Sequence, residues 1–284
     1  MQNIVGVVIL YNPEKSVALN IMSYANKLDR LFIIDNSSER NDLFASLIKN
    51  RGVYFHDGKN EGIAKRLNQA LLLAKSCGAS FLLTMDQDSY FDPEDLDNYF
   101  LSISRFSNIN SVGMFGIEHE GTSLSSSKSY EQNVILITSG SVINMKLSDA
   151  IGQFDEALFI DAVDDEYCLK ILSKGFETVK FNHLFLHHHL GETKSFRSLK
   201  NLRPTKRVLH SPVRLYYMIR NNLYLKARYR AQFKDYFKTK QRDINNRIKN
   251  NLLYGKQKIT TLKMIAKAYR DFKNNKMEKI QSRN

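Results

Sequence analysis

The chain has 284 residues, 43% of them hydrophobic and 25% charged, with a formal net charge of +13. This length allows one large domain, or one domain with an appendage, and a substantial core, while no apolar run approaches the roughly 20 residues of a membrane-spanning helix. The two cysteines, Cys77 and Cys168, lie far apart in predicted helices, which argues against a disulfide framework and a Cys-x-x-Cys zinc site and fits a reducing cytosol.

Apolar runs and amphipathic segments alternate along the first two thirds of the chain. The apolar opening has no basic residues before it and no small-residue cleavage site, so we predict a strand there rather than a signal peptide. The βαβαβαβ order of the first 85 residues predicts an α/β fold, a doubly wound, mostly parallel sheet with helices on both faces. The predicted strands cover residues 4–10, 31–34, 53–55, 81–85, 112–117, 134–138 and 176–181.

Two carboxylates follow the fourth predicted strand. Its apolar residues are typical of a buried strand, so Asp86 and Asp88 lie at the carboxyl end, where open α/β sheets bind ligands. Residues two apart in an extended segment point the same way, so both carboxylates can hold one hard divalent cation. A solvated turn is the alternative. An EF-hand is excluded, because Phe91 and Asp97 stand where its glycine and glutamate belong.

Polar residues follow other predicted strands at the same edge. Tyr11 can stack on a base, Asp35 can accept a hydrogen bond from a base or ribose, and a cation held by the aspartates offsets diphosphate charge. Neither the Rossmann glycine fingerprint nor the P-loop occurs, so the phosphates must be held by metal and cations. The alternatives are a core role for Tyr11 and an Asx turn for Asp35. Gly140 either lets the backbone approach a ligand or forms a plain turn.

Acidic residues crowd the start of the helix that ends before Gly175. Close like charges raise some carboxyl pKa values, which suits a general base at the edge of a pocket. A solvated helix start that compensates the helix dipole is the alternative. The four carboxylates are Asp161, Asp164, Asp165 and Glu166.

Three adjacent histidines occupy residues 187–189. They cannot all face one metal, because neighbours in an extended chain alternate sides. We expect one of them to complete the coordination begun by the aspartates, with a structural histidine as the alternative.

Together these motifs resemble the rhamnosyltransferases of glycosyltransferase family 2, in the same order over roughly residues 4–225. The most specific part is Asp-Gln-Asp-Ser at 86–89 followed by Leu-Phe-Ile-Asp at 158–161. The resemblance implies a GT-A fold and an inverting transfer from a nucleotide sugar, typically dTDP-rhamnose, with Mg²⁺ or Mn²⁺. The other motifs are Tyr11-Asn12-Pro13, Asp35-Asn36-Ser37, Asn60-x-Gly62-Ile63-Ala64, Asn68, Ser139-Gly140-Ser141, Asp161-x-x-Asp164-x-Glu166, His188-x-Leu190-Gly191, His210-Ser211-Pro212 and Arg214-x-x-Tyr217-x-x-Arg220-Asn221.

The resemblance also implies roles for single residues. Asp35 would bind the nucleobase, Asp86 would lie near the ribose and diphosphate, and Asp88 would ligate the metal. Asp164 falls at the position of the catalytic base, and His188 at that of a metal- or diphosphate-binding histidine. The remaining candidates are Tyr11, Asn60, Lys65, Gln87, Ser139 and Gly140 as nucleotide-sugar contacts, and Asp161, Asp165, Glu166, Arg214 and Arg220 as acceptor contacts or supporting residues.

The last part of the chain is strongly basic. From Arg197 onward there are 25 Lys and Arg against 4 Asp and Glu, a net charge of +21, whereas the preceding residues carry −8. We therefore predict a catalytic domain over residues 1–196 and a basic, mostly helical extension over 197–284. Apolar residues at helical spacing among the cations are typical of helices at a membrane interface or packed on their own protein. Nucleic-acid binding is the rival interpretation.

The resemblance, together with the basic tail, implies a bacterial glycosyltransferase on the cytoplasmic face of the cell membrane. It would move rhamnose to a lipid-linked or polysaccharide acceptor in cell-surface glycan (O-antigen) synthesis, with its basic helices on the anionic membrane surface and no nucleic acid as partner. The alternatives are a metal-dependent nucleotidyltransferase or nucleic-acid-binding protein that uses the basic tail, and a binding protein with a decayed active site.

Overall fold

The computed structural model of the chain describes residues 3–48, 52–120, 128–188, 194–197 and 203–280. It consists of two compact units. The first comprises Met1–Glu156 and Val163–His189, and the second comprises Ala157–Ala162 and Leu190–Asn284. Within the described ranges, no helix has both the length and the apolar character needed to cross a bilayer.

Strands and helices alternate along the first unit, as the apolar periodicity predicts. Its strands are β1 (Ile4–Leu10), β2 (Arg30–Asp35), β3 (Gly52–His56), β4 (Phe81–Asp86), β5 (Ser89–Tyr90), β6 (Val112–His119), β7 (Tyr130–Gln132), β8 (Ser141–Asn144) and β9 (Glu177–His188). Its helices are α1 (Val17–Ala25), α2 (Asp42–Leu47), α3 (Ile63–Ser76), α4 (Pro93–Ser104), α5 (Ser148–Ile151) and α6 (Val163–Ser173).

The strands of the first unit form one sheet with the order β3-β2-β1-β4-β8-β6-β9-β5, and β7 pairs with β9. The first four strands in that order are parallel, as are β6 and β9, whereas β8 runs antiparallel between β4 and β6. Residues 5–10 of β1 are all buried, as expected for a strand covered on both faces. The prediction of an α/β fold with a mostly parallel central sheet is confirmed.

The prediction of a strand at residues 134–138 is wrong. Its carbonyl and amide groups bond to side chains instead of a neighbouring strand, because Thr178 Oγ1 donates to the Val134 carbonyl at 2.6 Å and Cys168 Sγ accepts from the Leu136 amide at 3.3 Å. Thr84 Oγ1 also donates to the Thr138 carbonyl. The strand in this region is β8, which begins at Ser141. Apolar content alone could not distinguish the two segments.

The second unit contains a hairpin and three long helices. β10 (Lys194–Arg197) pairs with β11 (Pro204–Arg207) in an antiparallel ladder. The helices are α7 (Pro212–Tyr229), α8 (Lys234–Tyr254) and α9 (Lys258–Lys273), which pack on one another. The prediction of a basic, helical C-terminal region is confirmed. The buried residues of this helical core are Tyr216, Tyr217, Ile219, Ile244 and Ala268.

Candidate active site

Strand register aligns the carboxyl ends of the first strands of the sheet. Ile9 of β1 lies opposite Asp86 of β4, and Leu10 of β1 lies opposite Asp35 of β2. Asp35 in turn lies opposite His56 of β3. The structure therefore brings Asp35 and Asp86 to one edge of the sheet, two strand spacings or about 10 Å apart.

The Asp86-Gln87-Asp88 turn is fixed to the neighbouring elements by its central residue. Gln87 Oε1 accepts from the Tyr11 amide at 2.8 Å, and the Gln87 carbonyl accepts from Asn20 Nδ2 at 2.9 Å. The Tyr11 side chain is 52% exposed at this edge, so it is not the core aromatic of the alternative interpretation. Gln87 thus supports the turn by binding the end of β1, while two carboxylates flank it.

Ser139 and Gly140 support the same turn from the other side. Ser139 Oγ accepts from the Asp86 amide at 3.1 Å and donates to Ser89 Oγ at 2.8 Å. Gly140 has a φ of +76°, and a Cβ added there would lie 2.7 Å from Leu186 Cδ2. The glycine is therefore required by its backbone conformation and by its packing on the protein's own core.

Asp35 is fully buried and binds two protein donors. Its Oδ1 accepts from the Ser37 amide at 2.8 Å, which is the Asx turn of the alternative interpretation. Its Oδ2 accepts from the Tyr54 hydroxyl at 2.6 Å, and burial together with this hydrogen bond raises the pKa of Tyr54 to about 12. Its predicted contact with a nucleobase stays a prediction.

Arg66 is a buried cation that sequence reasoning missed. Its Nε donates to Asn36 Oδ1 at 2.8 Å, and its Nη2 donates to Asp57 Oδ1 at 2.6 Å and to the Lys59 carbonyl at 2.8 Å. The hydrogen bond from Arg66 lowers the pKa of Asp57. This network ties the loop before α3 to the end of β2. The available signal was a cation three residues after Ile63, on the apolar face of the predicted helix.

Two predicted site residues near the start of α3, Lys65 and Asn60, are more exposed than Arg66. Lys65 lies on the surface, with its Nζ 2.6 Å from Glu61 Oε2. Asn60 Oδ1 accepts from the Gly62 amide at 3.1 Å and shapes the loop just before the helix. Their predicted contacts with the nucleotide sugar stay predictions.

His187, the first of the three adjacent histidines, contacts protein groups through both of its ring nitrogens. His187 Nδ1 lies 2.5 Å from Glu120 Oε2, its Nε2 lies 3.0 Å from Asp92 Oδ2, and its ring stacks on Tyr90 at 4.7 Å. Burial lowers the pKa of His187, but the two carboxylates outweigh it and the net pKa is raised. Both ring nitrogens are thus engaged, which leaves this histidine unsuited to a metal.

The backbone of His188 lies next to the Asp86-Gln87-Asp88 turn. It is the last residue of β9 and pairs with Ser89, the residue that follows Asp88. Its side chain and the rest of its motif, Leu190 and Gly191, lie outside the described residues. Its role as a metal or diphosphate ligand remains a prediction.

The acidic cluster is divided between the two units. Asp164 is half-buried in the first turn of α6, whereas Asp165 and Glu166 are buried, with Glu166 Oε2 3.0 Å from Lys170 Nζ. Asp161 belongs to the second unit, where burial raises its carboxyl pKa against the lowering effect of Arg214, whose Nε lies 3.4 Å away. The rise at Asp161 therefore comes from burial rather than from like-charge repulsion, the cause expected from the sequence.

A buried pair of polar residues in the second unit supports the segment that carries Asp161. The Asn221 amide donates to the carbonyls of residues 158, 160 and 161 at 2.8–2.9 Å. Phe159, Asp161 and Ala162 have positive φ angles of 55°, 62° and 64°, which non-glycine residues adopt only when their surroundings hold them there. Arg220, fully buried, donates from Nε and Nη2 to Asn221 Oδ1 at 3.1 and 2.9 Å.

The carboxylates of the Asp86-Gln87-Asp88 turn are the residues that fit a divalent cation. Among the residues that the structure describes, no group of three or more His, Cys, Asp or Glu side chains is arranged to hold a metal ion. Mg²⁺ and Mn²⁺ in phosphate chemistry are commonly held by one or two carboxylates, with substrate oxygens and waters completing the coordination. Two hard oxygen donors at a sheet edge suit that arrangement.

Two comparisons of the sequence agree on one family. The family model described as glycosyl transferase family 2 matches residues 7–156, which is more than half of the chain. A dTDP-rhamnosyl transferase, RfbF of Shigella flexneri, is 28% identical over 242 residues, which cover 77% of this chain and 78% of that protein.

Comparison with solved structures supports the fold. The crystal structure of GalNAc-T7 with UDP, GalNAc and Mn²⁺ matches with a TM-score of 0.60 at 13% sequence identity. The match covers 96% of this chain, which spans 56% of the length of that structure. At that identity the likeness concerns the GT-A fold alone.

Proposed function

The chain belongs to glycosyltransferase family 2, and from that premise we propose that it transfers L-rhamnose from dTDP-rhamnose, with inversion, to a hydroxyl of a lipid-linked or polysaccharide acceptor in bacterial cell-surface glycan synthesis. The donor is inferred from the resemblance to a dTDP-rhamnosyl transferase. Family membership favours sugar transfer over nucleotidyl transfer, the alternative that the aspartate pair left open.

The observation that carries the proposal is the sheet edge at which β1, β2 and β4 end in register. There the end of β1 and Ser139 hold the Asp86-Gln87-Asp88 turn, so the backbone that carries its two carboxylates is fixed before any ligand binds. In this proposal Asp86 lies beside the ribose and diphosphate, and Asp88 with His188 holds Mg²⁺ or Mn²⁺. A bound cation would offset the negative charge of the diphosphate leaving group.

Inversion requires a single displacement at the anomeric carbon, so no covalent nucleophile is needed. We assign Asp164 as the general base that takes the proton of the acceptor hydroxyl as its oxygen attacks. A half-buried carboxylate at the start of α6 remains reachable by a substrate, whereas Asp165 and Glu166 are buried. Asp161 and Arg214 stay proposed as acceptor contacts or supporting residues within the second unit.

The direct test is release of nucleoside diphosphate from a panel of nucleotide sugars with Mg²⁺ or Mn²⁺. We expect dTDP-rhamnose to be turned over at least about tenfold faster than donors with another base or sugar. Asp88→Ala should lower that rate and raise the metal concentration needed for half-maximal activity. Equal release from all donors would contradict the assigned donor. An unchanged metal dependence in the variant would contradict the assigned ligand.

The exposed face of α9 supports a proposed location on the membrane surface. Ile259, Leu262 and Tyr269 are 72%, 54% and 49% exposed and recur at helical spacing, with exposed Lys263 and Arg270 on the same side. An exposed apolar stripe flanked by cations is typical of helices that lie in the headgroup region of an anionic bilayer. The net charge of +21 from Arg197 onward favours the same partner.

Vesicle flotation can test this location without removing any secondary structure. We expect Ile259→Glu/Leu262→Glu to abolish flotation with vesicles that contain anionic lipid, because it removes apolar contact and adds repulsion. The matched control is Leu19→Glu/Leu72→Glu, at positions 77% and 59% exposed in the first unit. If the α9 variant floats as the wild type does, α9 is not the membrane-binding element.

A further inference from the structure

Four cations surround one cavity where α7 ends and α8 begins. The cavity has a volume of about 670 Å³ and lies entirely within the second unit. Lys226 and Arg230 line it from the α7 side, and Lys234 and Lys238 line it from α8. Among the described residues that line it, Asp235 is the one acid.

None of the four cations forms an ion pair with a described residue, and Asp235, in the lining of the same cavity, is no exception. Elsewhere in the same unit, cations at a spacing of four pair with carboxylates, as Arg247 does with Asp243 at 2.7 Å. Here α8 instead carries two like charges at that spacing, Lys234 and Lys238, which destabilises a helix. Lys226 and Arg230 lie in the last turn and at the C-cap of α7, where the helix dipole favours cations. Lys234 is also the first residue of α8, where the helix dipole disfavours a cation. Helix stability therefore does not account for Lys234 and Lys238.

The lining is suited to a compact, multiply charged anion. Phe237, 2% exposed, and Ala231 supply an apolar part of the wall, while the exposed cations Arg230, Lys234 and Lys238 are accessible to an anion from solvent. Arg230 can bind two phosphate oxygens with its planar fork, while the lysines act as point charges around it. A volume of about 670 Å³ accommodates a phosphate or diphosphate with part of the group that carries it.

We propose that this cavity binds a phosphate or diphosphate group, supplied by a lipid or by a soluble ligand. The site uses neither the sheet edge nor the exposed face of α9, so it does not depend on the proposed transfer reaction or on the proposed membrane helix. Anion binding would neutralise charges that the folded chain otherwise leaves in mutual repulsion.

The test compares two variants of the full chain that lose the same charge. The cavity variant is Lys226→Gln/Arg230→Gln/Lys234→Gln/Lys238→Gln. The control is Arg242→Gln/Lys249→Gln/Lys256→Gln/Lys276→Gln, at four exposed positions of the same unit that lie outside the exposed face of α9. Inorganic pyrophosphate is titrated by calorimetry with EDTA present, so that metal-assisted binding at Asp88 does not contribute. Flotation with phosphatidylcholine vesicles, with and without phosphatidic acid, is the lipid arm.

We expect the cavity variant to lose at least tenfold in pyrophosphate affinity, in flotation with phosphatidic acid, or in both, while the control keeps both. Loss in the pyrophosphate arm alone identifies a soluble ligand, and loss in the vesicle arm identifies a lipid. Without anion, the melting temperature of the cavity variant should equal or exceed that of the wild type, and pyrophosphate should raise only that of proteins with the four cations. Equal losses in both variants, or no loss in either, would overturn the proposal.

Discussion

Asp164→Asn is expected to lower the rate of sugar transfer by about 10²–10⁴-fold, the usual contribution of a general base. The amide cannot take the proton of the acceptor hydroxyl, but it has nearly the size and hydrogen-bonding reach of the carboxylate. Affinity for dTDP should therefore remain near the wild-type value, because Asp164 lies on α6 rather than at the ends of the parallel strands. Initial rates with saturating donor, together with calorimetry of dTDP binding, separate these two effects.

Asp149→Asn is the matched control for Asp164→Asn. Asp149 lies on α5 in the same unit and pairs with Lys75 at 2.7 Å, with side chains 77% and 59% exposed. Exposed pairs of this kind contribute little to stability, so the control should retain full activity. If both variants transfer sugar at similar rates, Asp164 is not the base. If Asp164→Asn loses dTDP binding as well, its role is not confined to the proton transfer.

The arrangement of the sheet edge is predictable from the sequence because it follows from local patterns. The first four strands along the chain alternate with helices and run parallel, so their carboxyl ends, with Asp35 and Asp86, meet at one edge. The segment at 134–138 is the exception. Its partners are the side chains of Thr84, Cys168 and Thr178, which no periodicity reveals.

The hydrogen bonds that hold the loops near the candidate site residues are harder to predict from the sequence than the carboxylates themselves. Arg66 binds Asn36 across 30 positions of sequence, and Asn221 binds the carbonyl of Leu158 across 63. Such pairs depend on how distant elements pack, and a single sequence records no trace of that packing beyond a polar residue at an apolar position. The sequence also does not predict that Asp161 and Asp164 belong to different units, because the two lie only three positions apart on the chain.

Arg220→Lys is expected to reduce the free energy of unfolding by about 2–4 kcal/mol, although it keeps the charge. The guanidinium of Arg220 is fully buried and donates to Asn221 Oδ1 and to the Glu278 carbonyl at 2.9 Å each. It also lies 5.3 and 5.0 Å from the ring centroids of Tyr216 and Tyr217. A lysine ammonium lacks the planar fork, so it cannot reach these acceptors while it stays between the two rings.

The loss at Arg220 should extend to the backbone segment that Asn221 holds. Once Asn221 Oδ1 loses its donors, its amide is free to turn away from the carbonyls of residues 158–161, and the positive φ angles there lose their support. The control is Arg228→Lys on the same helix, where the exposed guanidinium stacks on Tyr224 at 4.4 Å. This substitution should lower the free energy of unfolding by less than about 1 kcal/mol. Urea unfolding followed by circular dichroism compares the two variants. Equal stability of both would mean that charge alone, and not the geometry of the fork, is what the second unit requires at this position.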